Sequence, residues 1–184
     1  MSDAHRGRLP LDRTLVERAR DGDMDAFEAL MKDRMDRVYR LSLAIVANEA
    51  DARDATQDAF VAAWRQLPRL RDADRFEAWL SRLVVNSARM ALRARRRRGV
   101  REIPAHEILS GRGAHDPSID DGVRLGAALG RLAPDQRAIL ALHHLEDRPI
   151  AEIAAILTIP PGTVKSRLFT ARQALARLLS ADER

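Results

Sequence analysis

The sequence predicts an all-α protein made of two small helical domains joined by a flexible linker. Hydrophobic residues make up 46% of the 184 residues, enough to bury a core. Aromatic residues make up only 4%, and nine glycines and eight prolines are few for a β-sheet fold. Long stretches repeat apolar residues at steps of three and four, which is the helical period. The predicted organisation is a disordered tail at 1–10, a first domain at 11–98, a linker at 99–122 and a second domain at 123–184.

The first domain is predicted to be a bundle of three long helices. The first begins after Asp23, a side chain suited to an N-cap, and the second ends at Pro68, because proline disfavours helical geometry in the preceding residue. After a polar loop from Pro68 to Arg75, the third helix ends in an arginine run from Arg93 to Arg98. The apolar faces contain Phe27, Leu30, Met31, Val38, Leu41 and Ile45; Ala52, Ala55, Ala59, Phe60, Ala63, Trp64 and Leu67; and Phe76, Trp79, Leu80, Leu83, Val84 and Met90.

The second domain is predicted to contain four shorter helices that follow an acidic linker. The first spans Val123 to Leu132, and Pro134 lies near the start of the second. Pro149 opens the third, a turn follows at 158–162, and Thr163 caps or begins a final helix that runs to about Leu179. The apolar face of the second helix contains Ile139, Leu140, Leu142 and Leu145.

The last two helices and their turn have the spacing of a helix-turn-helix, whose second helix lies in the DNA major groove. That second helix has no carboxylate, so its electric field suits a polyanion. Its basic residues are Lys165, Arg167, Arg172 and Arg177. The side chains that lie outside the apolar face of this helix, and are therefore available for DNA contact, are Lys165, Ser166, Phe169, Thr170 and Arg172. The alternative is an ordinary helical hairpin with a solvated basic face.

A second basic surface is predicted on the third helix of the first domain. Arg82, Asn86 and Arg89 precede the arginine run and form a polar edge that can follow a phosphate backbone. A basic run at a helix C-terminus can also simply complement the helix dipole. Trp79 either stacks on an unpaired base or belongs to the core, and aromatic residues at helical spacing are more often core.

Composition and motifs argue against several function classes. The chain has a net charge of +5 and no cysteine, which excludes disulfides and thiolate chemistry and fits a cytoplasmic protein. It contains no phosphate-binding loop, zinc-protease or dinucleotide motif, and His143 and His144 point about 100° apart on a helix, so they do not form a metal site by themselves. We therefore expect no enzyme activity, no cofactor, no metal and no small-molecule substrate.

Three stretches resemble the sigma-70 family, specifically the small extracytoplasmic-function (ECF, group IV) sigma factors that keep only regions two and four. The stretches are DARDATQDAFVAAWRQL, RFEAWLSRLVVNSARMALRARRRR, and LAPDQRAILALHHLEDRPIAEIAAILTIPPGTVKSRLFTARQAL. Together they cover most of the chain from about Asp23 to Leu179, and IPPGTVKSRLFTAR is the most specific part.

The resemblance implies a sigma factor that binds core RNA polymerase and recognises and helps to melt promoter DNA. Asp54, Gln57, Asp58 and Phe60 match the segment that binds a coiled coil of the largest catalytic subunit. The residues implied for the minus-ten element are Arg71, Asp72, Asp74, Trp79, Arg82, Asn86 and Arg89. Those implied for the minus-thirty-five element are Thr163, Lys165, Ser166, Arg167, Phe169, Thr170 and Arg172. It also implies control by an anti-sigma factor, often membrane-bound.

The sequence departs from the family pattern at three positions. Thr158 stands where many relatives have glycine, and a β-branched residue is costly at positive φ. Thr170 stands where many have a basic residue, and Met90 where aspartate is common.

The alternative function is a polymerase-independent helix-turn-helix regulator that binds operator DNA as a dimer. The arrangement of the two domains is left open by the sequence.

Overall fold

The computed structural model describes residues 13–98 and 117–181, with side chains from 124 onward in the second range. The first domain contains α1 (Arg13–Arg20), α2 (Met24–Val46), α3 (Glu49–Gln66) and α4 (Phe76–Arg97). The second contains α5 (Pro117–Gly130), α6 (Pro134–Leu140), α7 (Ile150–Leu157) and α8 (Pro161–Ala181), with a π-helical segment at Ala141–Leu145 that continues α6. Both described ranges lack β-strands, and the predicted all-α fold is confirmed.

Side-chain caps determine where the helices of the first domain begin. The Asp23 carboxylate accepts a hydrogen bond from the Ala26 amide at 3.0 Å, and Asn48 does the same for Asp51 at 3.0 Å, so α2 and α3 begin at capped ends. The Ala26 amide and the nearby Arg18 guanidinium hold the pKa of Asp23 below its usual value. The predicted cap at Asp23 is therefore correct.

Small residues let the helices of the first domain pack closely. Ala52, Ala55, Ala59 and Ala63 recur every three or four residues along α3 and are fully buried. Because these side chains are short, they allow α4 and α2 to approach α3 and bury larger residues such as Phe76 and Leu80. The bundle therefore keeps one face of α3 inside and leaves the opposite face exposed.

The structure differs from the prediction at several points in the first domain. It has an additional helix, α1, whose Val16 and Ala19 are buried. Met90 is 60% exposed, not part of the apolar face, because it lies two residues past the buried Ala88 and points about 200° away from it. The second helix ends before Pro68 as predicted, and a 3₁₀ turn, Leu67–Arg69, follows it.

In the second domain, two helices begin earlier than predicted. Helix α5 begins at Pro117 rather than Val123, inside the predicted linker, and α8 begins at Pro161 rather than Thr163. Both helices begin at a proline, whose fixed φ and missing amide hydrogen suit the first helical position.

Leu145 was predicted in the apolar face but is 40% exposed, because the π-helical segment changes the helical period at this point. The predicted tail at 1–10 and the linker residues 99–116 lie outside the described residues.

The turn of the helix-turn-helix keeps a left-handed residue at position 158 although this residue is threonine and not glycine. Thr158 has φ 58° and ψ 48°, and the Ile159 amide donates to the Ala154 carbonyl at 3.1 Å. Threonine in place of glycine therefore still forms a left-handed helix C-cap, but the backbone of Thr158 is strained.

We expect Thr158→Gly to stabilise the protein by about 1 kcal/mol. Left-handed geometry costs a non-glycine residue about 1–3 kcal/mol, and the extra flexibility of glycine in the unfolded chain offsets part of this gain. Chemical denaturation followed by circular dichroism measures the difference. Ala155→Gly, on the exposed side of α7, is the matched control and should lose about 1 kcal/mol. A Thr158→Gly variant no more stable than the wild type would contradict the strain argument.

The two domains pack against each other. Helix α6 contacts α2, and α7 contacts α4. The Arg137 guanidinium, buried in the second domain, donates from Nε to the carbonyl of Ile45 in α2 at 2.7 Å and from Nη1 to the carbonyls of Gly130 and Leu132 at 2.9 and 3.0 Å. The domain arrangement, which the sequence left open, is a closed one.

Candidate nucleic-acid interfaces

The outer face of α8 is a polar and cationic surface. Val164, Leu168 and Ala171 are buried against the rest of the second domain, so the opposite side of the helix faces solvent. Of the residues predicted to read the minus-thirty-five element, all but Thr163 are exposed, and Phe169 is exposed to 63%. No acidic side chain occurs anywhere in α8, so the field near this face attracts phosphate.

Several of these side chains have partners within the chain. The Ser166 hydroxyl donates to the Thr163 carbonyl at 3.1 Å, and the Thr170 hydroxyl to the Ser166 carbonyl at 3.1 Å. Arg172 donates from Nε to Nε2 of His144 at 3.2 Å. Burial, followed by the charges of His143 and Arg172, lowers the pKa of His144, so it is neutral at pH 7 and accepts this bond. Lys165, Arg167 and Phe169 are therefore the side chains best placed to reach DNA.

One face of α4 forms a second continuous surface. Trp79, Arg82, Asn86 and Arg89 follow each other at steps of three and four, so they line one side of the helix over about 15 Å. Arg82 and Asn86 are exposed, whereas Trp79 is half-buried with its ring 5.7 Å from that of Phe76. Trp79 thus packs on the core and still presents one edge to solvent. Arg93, also exposed, extends the stripe toward the helix end.

Ion pairs and a side-chain to backbone hydrogen bond hold the loop before α4. The Asp72 carboxylate accepts from the Asp74 amide at 3.0 Å and pairs with Arg75 at 3.3 Å, which holds a 3₁₀ turn at Ala73–Arg75. Asp74 pairs with Arg13 of α1 at 3.3 Å, and Arg71 is exposed. These contacts hold the loop directly before the first turn of α4.

The arginine run at the end of α4 is divided between the surface and the interior. Arg95 is buried and pairs with Asp51 of α3 at 2.8 Å, so it holds the two helices together. Arg93, Arg96, Arg97 and Arg98 are exposed. The predicted basic surface at 93–98 is correct for these four residues and wrong for Arg95, whose partner lies 44 residues earlier in the sequence.

The exposed face of α3 is acidic and borders a groove. Asp54, Gln57 and Asp58 are exposed within one turn of each other, whereas Phe60 is half-buried against the core. A groove of about 350 Å³ runs between this face and α4. The groove is lined on the α4 side by Met90, Arg93 and Arg97. The exposed methionine therefore contributes an apolar surface between acidic and basic walls.

The geometry defines a two-domain helical protein with a cationic helix-turn-helix face and a separate acidic face on α3. The described helices include none that is long and apolar enough to cross a bilayer. Family models for sigma-70 region 2 and sigma-70 region 4 match residues 30–98 and 122–175.

Curated relatives match over almost their full lengths. The ECF RNA polymerase sigma-E factor of Escherichia coli strain K12 is 35% identical over 176 residues, which covers 89% of this chain and 92% of that protein. The RNA polymerase sigma-H factor of Pseudomonas aeruginosa is 31% identical over 180 residues, 91% of this chain and 93% of that protein.

Two solved structures share the fold. CnrH in complex with the cytosolic domain of CnrY aligns with a TM-score of 0.70 at 28% identity, over 94% of this chain and 99% of that one. RpoE of Bartonella quintana, in complex with the anti-sigma factor NepR, aligns with a TM-score of 0.67 at 24% identity, over 85% and 98%. The chain belongs to the sigma-70 family and, within it, to the ECF sigma factors.

Proposed function

We propose that this sigma factor uses three separate surfaces, two to bind promoter DNA and one to bind core RNA polymerase. Helix α8 reads the minus-thirty-five element, the loop before α4 and the α4 stripe bind the minus-ten element, and the acidic face of α3 binds core polymerase. The observation that carries this assignment is the outer face of α8, which is exposed, cationic and without a carboxylate on a helix-turn-helix.

The α8 face suits the major groove. An α-helix fits this groove, and exposed lysine and arginine side chains can reach either phosphates or the acceptor atoms of guanine. Lys165 and Arg167 serve this purpose, and the exposed ring of Phe169 suits the apolar contact that a thymine methyl offers. Thr170 supplies no charge, so the contact made by a basic residue in many relatives is absent here.

The α4 stripe suits DNA whose strands have begun to separate. Extruding a base costs a few kcal/mol, so a protein that melts DNA has to provide a pocket and a backbone track in return. The loop holding Arg71 and Asp72, together with the half-buried Trp79 in the first turn of α4, offers the pocket. Arg82, Asn86 and Arg93 follow as a track of donors for phosphates.

The α3 face suits a basic helical partner. Asp54 and Asp58 stand one turn apart and exposed, and the neighbouring groove has room for apolar and acidic side chains next to Met90 and Arg93. We propose that the coiled coil of the largest polymerase subunit binds here. We also propose that the chain acts in the cytoplasm and is controlled by an anti-sigma factor. Two relatives of known structure support this proposal, because each is in complex with another protein and one of these proteins is named an anti-sigma factor.

The assignment is tested by abortive transcription with purified core polymerase on a library of random promoters. We expect initiation from promoters that share two elements about 25 base pairs apart, and the selected bases define both elements. Trp79→Ala and Asn86→Ala should reduce initiation on duplex promoters much more than on promoters already mismatched at the minus-ten element, because premelting supplies the missing energy. Binding of a palindromic duplex by a dimer, without initiation by core, would instead support the polymerase-independent regulator.

A further inference from the structure

Arg172 stands at the edge of the outer face of α8. It comes three residues after the exposed Phe169 and four residues after the buried Leu168, so the helical period places it between them around the helix axis. When a helix lies in the major groove, the backbone phosphates border the groove on both sides of that helix. A long cationic side chain at the edge of α8 is therefore suited to a phosphate rather than to a base.

The Arg172 side chain is held by a residue from outside the helix-turn-helix. His144 belongs to the π-helical segment that continues α6, and it lies 28 residues before Arg172 in the sequence. Arg172 donates from Nε to Nε2 of His144 at 3.2 Å. A neutral imidazole carries one ring proton, so a ring whose Nε2 accepts a hydrogen bond has that proton on Nδ1. The contact therefore requires one particular tautomer of His144.

This contact orients the guanidinium group without neutralising its charge. Buried arginines of the described helices and loops, namely Arg34, Arg95 and Arg148, are held by carboxylates. The partner of Arg172 is instead an uncharged ring, and Arg172 has no carboxylate partner among the residues that the structure describes. Its positive charge is therefore still available to attract a phosphate and to release the counterions of the DNA.

The hydrogen bond from Nε also leaves the right part of Arg172 for DNA. The two terminal nitrogens, Nη1 and Nη2, form the end of the planar guanidinium group and match two oxygens of one phosphate. Immobilising a long side chain at an interface costs affinity. Because His144 already restrains the guanidinium group, Arg172 has less freedom to lose when it binds DNA.

We propose that His144 is a positioning residue for DNA binding, which holds Arg172 so that Nη1 and Nη2 bind one backbone phosphate beside the minus-thirty-five element. This inference rests on the proposed function of α8. The sequence indicated only that the two neighbouring histidines do not form a metal site, and the contact across 28 residues gives His144 a place in the DNA site.

The contact itself is tested in the free, full-length protein by nuclear magnetic resonance. At neutral pH we expect a neutral His144 ring with its proton on Nδ1 and with Nε2 as the acceptor. Arg172→Ala should remove this preference and raise the population of the tautomer protonated on Nε2. Arg177→Ala, which removes another exposed arginine of α8, is the matched control and should leave the ring unchanged. A wild-type His144 ring protonated on Nε2 would overturn the proposal.

The role of the contact is tested by binding of holoenzyme to a promoter fragment. His144→Leu, which cannot accept a hydrogen bond, should weaken binding about fivefold, the order expected for immobilising one long side chain. His144→Gln, whose side-chain oxygen can replace Nε2 as acceptor, should keep most of the wild-type affinity. In the Arg172→Ala background, His144→Leu should cause no further loss, because His144 acts through Arg172. Equal losses in both backgrounds, or a glutamine variant as weak as the leucine variant, would contradict positioning.

The phosphate is identified by placing one uncharged methylphosphonate at each position along the minus-thirty-five element in turn. We expect one position at which the substitution weakens binding of the wild type but not of Arg172→Ala. Arg172→Ala should also reduce the slope of log affinity against log salt by about 1. If no such position exists, Arg172 does not bind a phosphate and the proposal is wrong.

Failure of the proposed function has a different outcome. In that case Lys165→Glu/Arg167→Glu would leave promoter affinity unchanged, whereas the tautomer of His144 in the free protein would still report the contact with Arg172. If the double variant loses affinity and His144→Leu does not, α8 binds the promoter and only the positioning role of His144 is overturned.

Discussion

The double variant Asp54→Arg/Asp58→Arg is expected to bind core RNA polymerase at least about a hundredfold more weakly than the wild type. Both carboxylates are exposed and one helical turn apart, so they can meet a basic partner together. Removing one partner of a buried charge pair at an interface costs about 2–5 kcal/mol, and placing like charges opposite each other costs several more. Arginine is a good helix former, so α3 itself should remain intact. Fluorescence anisotropy of labelled protein titrated with core polymerase measures the loss.

The matched control is Glu28→Arg/Asp36→Arg, which changes the net charge by the same amount at exposed sites of α2. It should bind core polymerase with nearly the wild-type affinity, apart from a modest effect on the association rate from the altered field. Equal losses in the two double variants would show that binding depends on net charge alone, and the acidic face of α3 would lose its assigned role.

Local patterns were enough to predict most of the helices. The three- and four-residue period placed α2, α3 and α4, and the cap at Asp23 and the stop before Pro68 were correct because each depends on neighbours in the sequence. Pro149 lies at the start of α7, as predicted. The helix-turn-helix could be identified for the same reason.

Contacts between distant residues could not be predicted. Glu77 and Arg95 interrupt the inner face of α4 and were not expected there, since charged side chains are normally solvated. Their partners lie 43 and 44 residues away, and the partner of Arg37 is 109 residues away. The signal that could have found them is a charged residue at an apolar position of the helical period. The exposure of Leu145 was missed because a π-helical segment has no clear signature in sequence.

The variant Lys165→Glu/Arg167→Glu is expected to lose at least about a hundredfold in affinity for a promoter when assembled into holoenzyme. Each cation that contacts a base or phosphate contributes about 1–3 kcal/mol, and the new carboxylates repel the DNA backbone. Core polymerase binding should be unchanged, because α8 belongs to the second domain and packs mainly on α6 and α7, not on α3. Competition binding of holoenzyme to linear promoter fragments measures the loss.

A control on the same helix separates position from charge. Ala176→Glu/Arg177→Glu adds carboxylates about three turns further along α8, outside the proposed set, and should reduce affinity only slightly. The decisive comparison uses a fragment whose minus-thirty-five element is scrambled. On the scrambled fragment, the affinity of the Lys165→Glu/Arg167→Glu holoenzyme should differ much less from that of the wild type, because the contacts that the substitutions remove no longer distinguish the correct bases. If the loss is as large on the scrambled fragment, α8 holds the backbone without reading the sequence, and base recognition has to be assigned to the first domain alone.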